Sequence, residues 1–202
     1  MYAQGMAPGQ DGNLSIRLND REILITPSRL PKGFLKPSQI IKIDPDGNQL
    51  DGELTPSVET PMHTTVYRAL PNVTACLHAH PLFIIVLSIS GITLSTKVLP
   101  EIATIFGADI PMAKYVTPGT SEMGTVLIPG LKKSSVVIQE RHGLFSTGQT
   151  LHEAWYRSEQ IEACAKVLYH AHRLGAVSEL PDAEIARLLA VHKRIPPTPV
   201  EA

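Results

Sequence analysis

The chain is poor in cysteine, in surplus positive charge and in long apolar runs, and each shortage excludes something. Two cysteines, Cys76 and Cys164, stand in 202 residues. Two thiols cannot build the disulfide framework of a small secreted domain, so they read as free side chains packed inside a protein of the reducing cytoplasm. Eighteen basic residues face 19 acidic ones, for a net charge of −1. No basic surplus is left for nucleic acid or an anionic membrane surface. Apolar runs such as Phe83 to Leu87 are core segments, far short of the ~20 residues a membrane span needs. Met1 to Met6 lacks a basic stretch followed by an apolar one, so no signal peptide is expected. What remains is a cytoplasmic protein with neither a nucleic-acid nor a membrane partner. Its 43% hydrophobic content fills one sizeable core. The expected division is a single domain over residues 1–195 and a Pro-rich tail over 196–202.

Periodicity places the elements. Asn13 to Leu18 and Arg21 to Thr26 alternate as strands, with Asn19-Asp20 turning between them. Ile40 to Ile43 is a third strand, closed by the turn Asp44-Pro45-Asp46-Gly47. A helix is predicted over Thr60 to Leu70, with Pro61 in its first turn and Pro71 after it. Val73 to Leu77 and Val136 to Gln139 read as buried strands, and Pro81 to Ser90 as a helix stopped by Gly91. The clearest helix is Leu151 to Leu174, with a capping box of Thr150 and Glu153 and Gly175 as its stop. A last amphipathic helix covers Asp182 to Lys193. Strands alternate with helices, yet the opening hairpin demands antiparallel pairing, so the expected fold is α/β with a mixed sheet flanked by helices.

The chemistry concentrates in histidines. In His78-Ala79-His80 the two imidazoles lie two residues apart, so in an extended segment both point the same way. His142 likewise follows an apolar strand, in Glu140-Arg141-His142-Gly143. Three imidazoles with an open fourth position suit catalytic Zn²⁺. Glu59, at a loop-to-helix junction, is either a general base beside the metal or a helix N-terminal acid. His63 falls one turn later and can orient it. Gly12-Asn13-Leu14-Ser15 and Thr26-Pro27-Ser28 are small polar loops at strand ends, of the kind that bind phosphate through amides and hydroxyls; turn chemistry alone also explains them.

Taken in order, these pieces resemble the class II aldolase/adducin-type family. The matching segments are Gly12-Asn13-Leu14-Ser15, Ile25-Thr26-Pro27-Ser28, Ser57-Val58-Glu59, His78-Ala79-His80-Pro81, Pro118-Gly119-Thr120, and Gln139 to Leu144. The resemblance implies a central, mostly antiparallel sheet and a homotetramer with sites between subunits. It implies Zn²⁺ on His78, His80 and His142, Glu59 removing a proton next to a carbonyl, and a substrate phosphate held by Gly12, Asn13, Ser28 and Ser57. The implied reaction is cleavage of a ketose 1-phosphate to dihydroxyacetone phosphate and an aldehyde.

The sequence departs from the family in three places. Arg29 stands where the family has glycine, and Val58 where it often has a second serine. Lys97 to Ala103 contains no tyrosine, although the resemblance places a proton donor there. The same family includes a sugar-phosphate dehydratase, a decarboxylase and a 4-epimerase, and these reactions stay open. The epimerase carries aspartate in place of Glu59. A non-catalytic adducin-like module lacks the metal ligands that this chain retains.

Overall fold

The computed structural model describes residues 1–192. Among them, eight strands form one sheet: β1 (Asn13–Arg17), β2 (Ile23–Ile25), β3 (Ile41–Ile43), β4 (Gln49–Asp51), β5 (Ala75–Ala79), β6 (Met112–Ala113), β7 (Val136–Gln139) and β8 (Gly143–Gly148). Six α-helices accompany it: α1 (Thr60–Ala69), α2 (Leu82–Ile89), α3 (Pro100–Phe106), α4 (Glu122–Leu131), α5 (Leu151–Leu174) and α6 (Asp182–His192). The strand order is β4-β3-β2-β1-β5-β8-β7-β6. Every neighbouring pair is antiparallel except β6 and β7. This is the mixed, mostly antiparallel sheet flanked by helices that the sequence predicts. Lys193 and the Pro-rich tail lie outside the described residues.

The alternation of β5 organises both faces. All five of its residues are buried. Cys76 points into an apolar cluster with Met62 and Val66 of α1 and Leu127 of α4. Leu77 and Ala79 point the other way, into a cluster with Ile84 and Leu87 of α2 and Ile161 and Leu168 of α5. Burying each such leucine or isoleucine contributes about 1.5–3 kcal/mol. By the same alternation His78 emerges on the α1 face of the sheet. Both thiols are buried and free, as expected.

The sequence places β5 two residues too early. Its pairing with β1 and β8 runs on through Asn13↔His78, His78↔Phe145 and Ala79↔Leu144, so His78 lies inside the strand rather than beyond it. Gly143 lets two backbones come close. A Cβ there would lie 2.1 Å from the Ala79 carbonyl oxygen, so the close approach it permits is chiefly to the β5 backbone. The α5 capping box is modified too: Thr150 accepts from the Glu153 amide, while the Glu153 carboxylate accepts from the amide of Gln149 instead of Thr150.

Candidate metal and substrate site

Three elements bring the predicted histidines together. His78 comes from β5, His80 follows that strand directly, and His142 sits in the turn between β7 and β8, where Arg141 takes a left-handed φ of 62°. One ligand nitrogen from each ring lies within 4.8 Å of the others. The outer nitrogens of His78 and His80 are committed elsewhere. His78 Nδ1 donates to the Leu144 carbonyl at 2.8 Å, and His80 Nδ1 to the Asp11 carboxylate at 3.1 Å. Each ring therefore turns its Nε2 lone pair inward, and these two nitrogens lie 2.9 Å apart. Two facing lone pairs repel unless a cation lies between them. Burial, with His80 and His142 alongside, also holds His78 well below the usual histidine pKa, and burial lowers His142 as well. A carbonyl at the outer nitrogen of His78 and a carboxylate at that of His80 aim the inner nitrogens at one point, so with His142 beside them the three rings fit a metal ion.

Glu59 faces this cluster. Its Oε2 lies 3.5 Å from His78 Nε2 and its Oε1 3.5 Å from His142 Nε2. It occupies the N-cap position of α1 but forms no side-chain cap, so the carboxylate is free to turn toward the histidines. Asn13 Nδ2 donates to Glu59 Oε2 at 2.5 Å, and Asn13 Oδ1 meets His63 Nε2 at 2.5 Å.

A cavity of about 370 Å³ opens beside the cluster, lined by Gly12, Asn13, Ser28, Ser57, Glu59 and His80 among others. Its two polar loops are tied together: the Ser28 amide donates to the Thr55 carbonyl and the Ser57 amide to the Thr26 carbonyl. Thr26 itself does not line the cavity. Its hydroxyl accepts from the Leu14 amide at 3.1 Å and closes the β1–β2 end. Sequence reasoning did not single out Asp11 or Lys32, both of which line the cavity. Lys32 Nζ donates to the carbonyls of Gln10 and Leu30, and burial lowers its pKa. The signals were their positions, next to Gly12-Asn13 and within the loop after Ser28. Arg29 also lines the cavity, with a left-handed φ of 57° at the position where a glycine is the easier fit.

His63 is fully buried, and burial pushes its pKa down to about 3. The unfolded chain takes up this proton near pH 6.5 and the folded one does not, so stability is full above about 6.5 and falls toward pH 3. We expect His63 to contribute about 1.4 kcal/mol per pH unit to that slope. Denaturant midpoints measured from pH 7 to 4 should fall less steeply in His63→Gln than in the parent; equal slopes would show that His63 is protonated in the fold.

The chain belongs to the class II aldolase and adducin N-terminal domain family, whose model matches residues 1–169. It is 28% identical to a 5-deoxy-D-ribulose 1-phosphate aldolase of Bacillus thuringiensis, covering 93% of this chain and 88% of that protein. It is 29% identical to a 3-oxo-tetronate 4-phosphate decarboxylase of Escherichia coli, covering 83% and 80%. The solved structure of an L-fuculose 1-phosphate aldolase superposes with a TM-score of 0.84 at 29% identity, covering 95% and 90%. Among the described residues, no helix is long and apolar enough to cross a membrane.

Proposed function

We propose that this protein is a zinc-dependent aldehyde-lyase that cleaves a ketose 1-phosphate to dihydroxyacetone phosphate and an aldehyde. The observation that carries this reading is the Glu59 carboxylate set 3.5 Å from two imidazoles of a three-histidine cluster, at the edge of a polar cavity. A divalent cation held by His78, His80 and His142 would polarise the substrate carbonyl. Glu59 takes the proton from the carbon next to that carbonyl in the direction of synthesis and returns it in the direction of cleavage. Gly12, Ser28 and Ser57, with Lys32 and Arg29 supplying positive charge, hold the phosphate away from the reacting carbons and so orient them. Thr26 serves the same end indirectly, by pinning the loop that carries Ser28. We take the protein to be cytoplasmic and homotetrameric, with sites between subunits. Exposed Val58, beside Ser57 and Glu59, would face the neighbouring subunit at the rim of the cavity.

The test is a panel of ketose 1-phosphates with zinc-loaded protein, read by dihydroxyacetone phosphate release. Release from at least one is expected; none from any would end the aldolase reading. A second reading, decarboxylation of an oxo-tetronate phosphate, is favoured by the absence of tyrosine in residues 97–103. An oxo-tetronate 4-phosphate in the same panel, read by carbon dioxide release, separates the two.

A further inference from the structure

We infer that the Asn13 side chain orients Glu59, as the last link of a buried donor chain that runs from Tyr67 through Ser15 and His63. This rests on the reading of Glu59 as the proton-transfer group.

The chain follows from two matched repeats. Glu59, His63 and Tyr67 recur every four residues along α1, a rise of about 6 Å. Asn13, Ser15 and Arg17 recur every two residues along β1, a rise of about 6.6 Å. The two stripes therefore interlock side chain by side chain. Asn13 lies between Glu59 and His63, and Ser15 between His63 and Tyr67 at 2.7 and 2.8 Å. The Arg17 guanidinium lies 4.8 Å from the centre of the Tyr67 ring. Asn13, Ser15, Glu59, His63 and Tyr67 are each at most 7% exposed.

The carboxylate fixes the direction of every bond in this chain. An ionised carboxylate only accepts, so Asn13 turns its amide nitrogen toward Glu59 and its oxygen toward His63. His63 must then carry its proton on Nε2, which leaves Nδ1 to accept from Ser15. The Ser15 oxygen in turn accepts from Tyr67, whose hydroxyl also lies 3.3 Å from the Thr74 carbonyl. The Asn13 amide nitrogen has two hydrogens, so donating one to Glu59 leaves the other free to face the cavity. Holding Oε2 in this way leaves Oε1 as the oxygen that exchanges the proton.

Two measurements test this. In protein with ¹⁵N-labelled histidine, long-range nitrogen–proton NMR should find His63 as the Nε2–H tautomer; the Nδ1–H tautomer would overturn the chain. With the substrate the parent turns over, His63→Phe should lower kcat about 10- to 100-fold at constant KM, the scale expected for a misplaced catalytic group. His63→Gln, which still offers an N–H to Asn13, should recover most of that loss. Equal kcat for the two variants would refute the positioning role. If the parent turns over no substrate, the aldolase reading falls, but the tautomer measurement still decides the chain.

Discussion

Replacing Glu59 by glutamine is expected to lower kcat by about 10²- to 10⁴-fold while the protein keeps its metal. Glutamine retains the shape of glutamate, and its carbonyl oxygen still accepts the amide of Asn13, so the local packing survives. It cannot take a proton at the oxygen that lies 3.5 Å from His142 Nε2. The His78 and His80 rings are held through Leu144 and Asp11, independently of Glu59, so the metal is expected to stay when the carboxylate is replaced. Two readouts separate this effect from misfolding. Metal content per chain should match the parent. Exchange of solvent deuterium into the carbon next to the carbonyl of dihydroxyacetone phosphate should fall with kcat. Unchanged exchange would remove Glu59 from proton transfer, because this half-reaction needs no aldehyde.

Much of the site is present in the sequence as residue types, and much less as partnerships. The histidine cluster is legible because both flanking segments are apolar strands, and a strand ending at one edge of a sheet delivers its last side chains there. The pairing of Asn13 with Glu59 is not legible. It depends on the register between β1 and α1, which lie more than 40 positions apart, and on a match between a helical rise and a strand rise that only packing fixes. Thr26 illustrates the same limit: a hydroxyl in a small polar loop reads as an anion ligand, yet here it satisfies the Leu14 amide. In the fold, α4 escapes detection because Gly124, Pro129 and Gly130 all argue against a helix. Two of these residues are what its packing needs. A Cβ on Gly124 would lie 2.5 Å from Thr65 on α1, and one on Gly130 would lie 2.7 Å from Val137 on β7. Close approach to α1 and the sheet outweighs the weak intrinsic propensity. β4 and β6 are missed for another reason: one is exposed throughout and the other is two residues long, so neither carries a periodic signal.

His142→Ala should abolish stoichiometric metal binding and product release together. It also separates ligation from core packing better than a change at His78. His78 is fully buried, and its removal would leave a cavity and take a donor from the Leu144 carbonyl, whereas the His142 side chain is 15% exposed and ends a turn. Loss of one of three imidazoles leaves two ligands, too few to hold zinc against a competing chelator. The linked stability change is large. Zinc at about a thousand times its dissociation constant adds about 4 kcal/mol to the folded state. In a domain of this size, each kcal/mol moves the Tm by about 2–4 °C. The parent should therefore melt about 8–16 °C higher with zinc than after chelation, while His142→Ala shows no such difference. Asp11→Asn gives the graded case: the His80 ring loses its anionic partner but keeps an acceptor, so zinc affinity should fall by about 10- to 100-fold rather than vanish. A competition titration against a coloured chelator reads all three proteins on one scale. Full zinc affinity in His142→Ala would mean that the imidazole cluster is not the metal site.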